Sequence, residues 1–178
     1  MTTFVEKIER SNDNPRDPRN REVILPAPDP YNSNLATPIN SSPLVKAFIN
    51  NLPAYRQGLS PFRRGLEVGL AHGYWLIGPF FEFNPLRLSH QGALVALLST
   101  FGLIVISTGA IALYAASNPP NPTATITAPN PPEAFNRPDG WFSYAKGFLV
   151  GGLGGSLFAY LILTNVDVFK NALSFAGF

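Results

Sequence analysis

The chain has 178 residues, a formal net charge of +2 and a hydrophobic fraction of 46%, but only 13% of its residues are charged, whereas roughly 25% is typical of soluble proteins. No Asp, Glu, Lys or Arg lies between Arg87 and Glu133 or between Lys146 and Asp167, which indicates membrane-spanning segments. The absence of cysteine excludes disulfides, thiolate metal sites and iron–sulfur ligation. Two histidines and few carboxylates also argue against a zinc enzyme.

Positive charge is concentrated in the first third of the sequence. Through Arg64 there are nine bases and six acids, and the remainder has four bases and five acids. The bases alternate with acids and prolines and form no helical stripe, so we expect no nucleic-acid binding. The basic density predicts that the N-terminus stays on the cytoplasmic-equivalent side of the membrane. Charges within the first ten residues argue against a signal peptide.

Residues 1–60 are predicted to form an extended arm that carries one short helix, and residues 61–178 a transmembrane domain. The arm is rich in Pro, Asn, Asp and Arg through about residue 43, a composition typical of irregular structure. Apolar residues at helical spacing then predict a short amphipathic helix, ended by Pro53, at the membrane surface or against a partner. These apolar residues are Leu44, Phe48, Ile49 and Leu52.

The predicted fold is an all-α integral membrane protein with three transmembrane helices, at about residues 65–83, 92–116 and 147–166. Ser60 and Pro61 provide the start signals of the first helix, which we expect to break up at Gly78 and Pro79. The stretch 117–139 between the second and third helices is rich in Pro, Asn, Ser and Thr and predicts an extended surface loop.

Three spans place the two termini on opposite sides of the membrane. The arm and the Pro-rich loop then share one side, and the short turn around Arg87 shares the other with the tail after Val166. The tail is too short to cross the membrane again yet apolar, so we expect it to cover a neighbouring surface. Its apolar residues are Val168, Phe169, Leu173, Phe175 and Phe178.

Glu67 and His72 lie inside the first predicted helix, where ionisable residues are functional candidates by default. Positions five apart differ by about 140° around a helix and about 7.5 Å along it, so the two side chains cannot share one metal ion. A salt bridge from Glu67 to Arg63 or Arg64, and a hydrogen bond from His72 to another helix, are the structural alternatives.

Glycines recur every fourth residue in the first and third predicted helices. Spacing of this kind favours close helix packing. His72 lies within about 20° of the line of Gly65, so the missing side chains predict room for a flat ligand beside it. The glycine series are Gly65, Gly69 and Gly73 in the first helix and Gly147, Gly151 and Gly155, followed by Ala159, in the third.

The string Asn-Leu-Pro-Ala-Tyr-Arg-Gln-Gly-Leu-Ser-Pro-Phe-Arg-Arg-Gly-Leu-Glu-Val-Gly-Leu-Ala-His-Gly-Tyr-Trp-Leu-Ile-Gly-Pro-Phe at 51–80 closely resembles subunit XI, the L subunit, of cyanobacterial photosystem I. Shorter strings resemble the same family, so that the resemblance covers nearly the whole chain. They are Asp17-Pro-Arg-Asn-Arg-Glu-Val, Thr37-Pro-Ile-Asn-Ser-Ser-Pro-Leu-Val, Ser117-Asn-Pro-Pro, Gly140-Trp141 and the Gly-Gly-x-Gly-Gly of 151–155.

The resemblance implies a non-catalytic, multi-pass subunit of the thylakoid membrane, with a stromal N-terminus and a lumenal C-terminus. It implies that Glu67 and His72 are axial ligands of the magnesium of two chlorophyll a molecules, and that β-carotene is a further cofactor. The implied partners are the core and neighbouring small membrane subunits of photosystem I, lipids, and the same subunit of adjacent monomers.

Two features of the sequence depart from the family pattern. An acidic residue linked to calcium commonly follows the Pro-Leu-Arg of the short turn in this family, whereas Leu88 follows Arg87 here. The resemblance therefore does not predict calcium at the contact between monomers. The long Pro-rich loop accompanies assemblies other than the usual trimer, which leaves trimer and tetramer both open.

Two other classes of function compete with pigment binding. A small membrane transporter or proton-relay subunit would use Glu67 as a station, but the second and third helices offer only Ser, Thr and Asn165 as further polar stations. A membrane enzyme would need a clustered acid, base or metal set, which the sequence does not contain after Arg64. A pigment-binding assembly subunit is the interpretation that the residues favour.

Overall fold

The computed structural model describes residues 37–166. Every regular element in this range is helical, and the range contains no strand. The predicted arm up to residue 36 and the apolar tail from residue 167 onward lie outside the described residues. The elements are α1 (Pro43–Asn51), α2 (Pro61–Glu82), α3 (Gly92–Ala116), a 3-10 turn (Glu133–Asn136) and α4 (Pro138–Thr164).

Helices α1 and α2 begin in the same way. A serine precedes each helix, and its hydroxyl accepts a hydrogen bond from a backbone N–H in the first turn: Ser42 from Val45 and Ser60 from Arg63, each at 3.3 Å. A proline occupies the next position in both helices, where its missing N–H would have had no partner in any case. The predicted start signals of α2 are therefore confirmed, and the helix begins at Pro61.

Two predicted helix boundaries are wrong. Helix α2 does not break up at Gly78 and Pro79 but continues to Glu82, because a proline in the last turns removes one backbone hydrogen bond and the turn still closes from Phe83 N to Pro79 O at 3.0 Å. Helix α4 begins at Pro138 rather than near residue 147, since a proline in the first turn and a nearby carboxylate both favour a helix start.

Helices α2 and α4 pack backbone against backbone along their glycines. A Cβ atom added at Gly65 would meet Tyr144 O, and one added at Gly73 would lie 2.8 Å from Gly152 C. The contact moves toward the C-terminus along both helices, so α2 and α4 run parallel. Only glycine permits this approach, which confirms the prediction of close packing. The six glycines of this interface are Gly65, Gly69, Gly73, Gly147, Gly151 and Gly155.

Helix α3 completes the helical bundle. Its Ile104 is fully buried and lies 2.6 Å from the position of a Cβ added at Gly152 of α4. Two hydroxyls are also fully buried, and each bonds within its own helix: Thr100 to Ala96 O at 2.9 Å and Ser156 to Gly152 O at 2.6 Å. Burying these two polar groups therefore leaves neither of them without a hydrogen bond.

Two helices of the described range are long and apolar enough to cross a membrane. These two helices are α3 and α4. Helix α2 does not meet the same measure, and it carries Glu67 and His72 in addition to its glycines. By length and composition alone, the structure therefore supports two spans.

The chain divides into two compact units. One contains α2, α3 and α4, and the other contains α1 with residues 122–133 of the Pro-rich loop. Within the second unit, Asn50 Nδ2 donates to Thr127 O at 2.7 Å, and Thr127 Oγ1 donates to Asn40 O at 3.1 Å. The stretch predicted as an extended surface loop thus has buried residues, Ile126 among them, and ends in a helical turn.

Candidate functional site

His72 lies on the surface of α2, and one of its ring nitrogens is already engaged. Nδ1 is 2.8 Å from Val68 O, one turn earlier in the same helix. Because a carbonyl oxygen only accepts, Nδ1 carries the proton, and in the neutral ring Nε2 keeps its lone pair. The backbone thus fixes the tautomer that offers Nε2 to a metal. The hydrogen bond is made within α2 and not to another helix.

The His72 ring also contacts the ring of Phe148 in α4. The two ring centroids are 5.5 Å apart at an interplanar angle of 62°, an edge-on contact. Sequence reasoning identified His72 but neither Val68 nor Phe148. The spacing of Val68 and His72 at i and i+4 could have indicated the backbone bond, whereas nothing in the sequence pairs Phe148 with α2.

The room predicted beside His72 does not exist on the glycine side. Helix α4 fills the space over Gly69 and Gly73, where an added Cβ would lie 2.8 Å from backbone atoms of α4. The prediction that the glycines leave space for a flat ligand is therefore wrong, because the glycines serve helix packing. A ligand of His72 has to approach from the exposed side of its ring.

Glu67 is half-buried and points in a different direction. It lies about 200° around α2 from Gly65, and Gly65 is the residue that packs against α4, so the Glu67 carboxylate is directed away from that helix. The structure does not bring Glu67 and His72 together. No group of three or more His, Asp or Glu residues able to hold a metal ion occurs between residues 37 and 166.

Aromatic rings cluster where α4 begins. Trp141 Nε1 donates to Phe135 O at 2.9 Å, and the two ring centroids are 4.5 Å apart. Tyr114, near the end of α3, meets Trp141 at 5.0 Å. Amphipathic rings with a satisfied polar atom are typical of the membrane–water boundary. The cluster therefore marks one end of the α3–α4 pair.

The turn between α2 and α3 is held by polar contacts. Asn84 is buried, donates to Gly92 O at 3.1 Å and accepts from Leu86 N at 2.8 Å. Arg87 Nη1 lies 2.8 Å from Glu82 Oε1. Leu88 projects outward and is 94% exposed. The side chain of a leucine offers no oxygen to calcium, and Arg87 engages the nearby Glu82 carboxylate.

Comparisons with known proteins place the chain in one family. The family model for photosystem I reaction centre subunit XI matches residues 22–168. The chain is similar to photosystem I reaction center subunit XI of Mastigocladus laminosus, with 54% identity over 94% of this chain and 98% of the relative. The subunit of a Nostoc species is 55% identical over 94% and 98% of the two chains, and that of Trichormus variabilis is 55% identical over 91% and 95%. The chain therefore belongs to the photosystem I reaction centre subunit XI family.

Proposed function

We propose that the chain is a non-catalytic subunit of photosystem I in the thylakoid membrane, where it binds chlorophyll and joins photosystem monomers. Its family supports membership of the photosystem. The two apolar helices α3 and α4 support a place in the membrane. The observation that carries the pigment-binding part is the His72 ring, whose Nδ1 is bonded to Val68 O and whose Nε2 is left for a metal.

The proposed topology has three spans, with α2 as the first. Helix α2 has 22 residues, which span about 33 Å and match a hydrocarbon core of about 30 Å. It runs parallel to α4 in backbone contact from Gly65 to Gly73. A helix in such contact with a spanning helix shares its depth. Its polar residues are then ligands or interfacial groups, not evidence of an aqueous location.

The proposed orientation has the N-terminal arm on the stromal side and the C-terminus in the lumen. The excess of bases through Arg64 supports it, because segments rich in Lys and Arg remain on the cytoplasmic-equivalent side. The aromatic cluster around Trp141 then lies at the stromal boundary, and the Arg87 turn lies at the lumenal one. We further propose the division of the chain into a stromal part through residue 60 and a transmembrane part from residue 61.

The donors on α2 fit the magnesium of chlorophyll. The magnesium of chlorophyll would take a donor from the protein, and a neutral imidazole or a carboxylate oxygen would supply it. His72 Nε2 and a Glu67 oxygen each supply one such donor, and their divergence around α2 fits two separate pigments. Bound chlorophyll supplies light absorption and energy transfer. The protein holds each pigment in place, with β-carotene and lipid as further neighbours.

The proposed contact between monomers involves the lumenal turn and the tail after residue 166. The turn supports this role, since Asn84 and the Arg87–Glu82 pair hold its shape while Phe83 and Leu88 are 84% and 94% exposed. Burying a leucine or phenylalanine is worth about 1.5 to 3 kcal/mol. An apolar contact of this kind needs no calcium, and it suits a trimer or a tetramer.

Replacing His72 by leucine tests pigment binding. We expect His72→Leu photosystem to lose about one chlorophyll per copy of the subunit, because leucine has no axial donor. His90→Leu is the matched control, since His90 is exposed ahead of α3 and should leave the pigment count unchanged. The measurement is the chlorophyll content and absorption spectrum of purified complexes that still contain the subunit. Equal pigment content in the two variants and the native complex would contradict the role of His72.

A further inference from the structure

Of the four residues of the predicted apolar stripe, Ile49 and Leu52 are half-buried, whereas Leu44 and Phe48 form an exposed apolar stripe that faces away from the unit to which α1 belongs. Leu44 is 80% exposed and Phe48 is 64% exposed, and Ile39, just ahead of the helix, is 74% exposed. On the opposite side, Asn50 bonds to Thr127 O at 2.7 Å. This bond fixes the rotation of the helix about its axis, so the outward position of the stripe is built into the unit.

The chain around α1 has charge of one sign. Between Asp29 and Glu67 there is no acidic residue. The bases in this stretch that reach the surface are Lys46, Arg56 and Arg63, whereas Arg64 is buried. A helix with an exposed apolar stripe and basic surroundings binds the surface of an anionic bilayer, where the stripe enters the acyl–headgroup boundary and the bases attract the headgroups.

The connection to α2 keeps α1 close to the bilayer. Nine residues, 52–60, separate the two helices, and a chain of that length reaches at most about 30 Å. Residues 122–133, to which α1 is bonded, lie between the ends of α3 and α4. In the proposed three-span topology, all of these helix ends lie at one membrane surface, so the connection limits the distance of α1 from that surface to about 30 Å.

We propose that α1 is a lipid-anchoring helix that seats Ile39, Leu44 and Phe48 in the stromal leaflet. The occupant of its apolar stripe is the acyl–headgroup boundary of an anionic bilayer and not a protein. This inference rests on the proposed topology. It adds a second kind of membrane contact, parallel to the surface, to the spans that cross it.

The absence of cysteine allows a clean test, since one introduced cysteine takes one spin label. The full chain is reconstituted in vesicles of phosphatidylcholine with a minority of phosphatidylglycerol. We expect the label of Phe48→Cys to collide mainly with oxygen and to lie about 5 to 10 Å below the headgroups. The label of Gln57→Cys, at an exposed position in the connection to α2, should collide mainly with a water-soluble nickel chelate. Equal exposure of both labels to nickel would overturn the proposal.

Two further measurements separate the possible failures. A label at Ile106, 69% exposed near the middle of α3, should collide only with oxygen, and if it does while the Phe48 label meets nickel, the anchoring helix alone is refuted. If the Ile106 label also meets nickel, the proposed topology fails as well. In purified photosystem kept in its native lipid, a Phe48 label that is immobile and shielded from both reagents would show a protein partner on α1 and overturn lipid anchoring.

Discussion

A single methyl group at the α2–α4 interface should weaken the bundle measurably. In Gly69→Ala, the added Cβ would lie 2.8 Å from Gly152 N and would also meet Phe148 O, whereas carbon atoms in normal contact are about 3.5 to 4.0 Å from their neighbours. The distance from the added Cβ to Gly152 N is therefore about 0.7 Å or more shorter than a normal contact. Because the obstacle is backbone, no side chain can rotate away, and α2 and α4 must move apart.

The expected magnitude is a difference between two effects. Overpacking costs about 1 to 3 kcal/mol, and with a rigid obstacle we expect a value near the upper end. Alanine also favours the helix over glycine by about 1 kcal/mol. The net loss in free energy of unfolding is therefore about 1 to 2 kcal/mol, which lowers the ratio of folded to unfolded chain about 5- to 30-fold.

The matched control is Gly102→Ala on α3, where an added Cβ has no atom within 4 Å. This variant keeps the gain in helix propensity without the clash, so it should be unchanged or up to about 1 kcal/mol more stable. The assay is unfolding in mixed micelles, followed by energy transfer between dyes on cysteines placed at Arg63 and Lys146. If the two alanine variants shift the transition by the same amount and in the same direction, the packing argument is refuted.

Two hydrogen bonds can each be tested with a variant and a matched control. Asn50→Ala removes the hydrogen bond between α1 and the Pro-rich loop, and should speed amide hydrogen exchange in α1 because about 1 kcal/mol of stabilisation is lost. Asn51→Ala is the control, since the Asn51 side-chain amide bonds to Ala47 O within the helix, and its α1 amides should exchange as in the native chain. Similar exchange rates in both variants would contradict the stabilising role of the Asn50–Thr127 bond. Trp141→Phe removes the indole donor at the start of α4 and should cost about 1 kcal/mol in micelle unfolding. Trp75→Phe, at a residue that is 74% exposed, should be neutral, and equal losses would argue against the bond.

The accuracy of the predicted helices follows from how their ends are marked. Helix α3 begins at Gly92 and ends at Ala116 as predicted, because an uncharged run of that length has no competing interpretation. The predicted start of α4 is too late, since hydropathy rises only after Lys146 while the helix begins at Pro138, among polar residues. Hydropathy marks where a helix is apolar, whereas local start signals such as Pro138 mark where it begins.

The candidate site shows a different limit. Helical spacing is enough to predict that Glu67 and His72 diverge, because that angle depends only on their positions in one helix. The same spacing cannot predict that α4 fills the space over the glycines, since this depends on which helix packs there. The hydrogen bond between Asn50 and Thr127, which are 77 residues apart, likewise cannot be predicted from local periodicity. Helical periodicity therefore does not predict contacts between residues that are distant in the sequence.

The parallel pairing of α2 with α4 has a consequence for biosynthesis. The residues that meet at this interface lie about 80 positions apart in the chain, and α3 and the Pro-rich loop are made between them. Helix α2 therefore leaves the ribosome long before the surface that covers its glycines exists, and closing so long a loop has its own entropic cost. A nascent chain that stops before α4 has no partner for Gly65, Gly69 and Gly73. The bundle forms its tightest contact last, so synthesis of α4 is the step that commits the subunit to its fold.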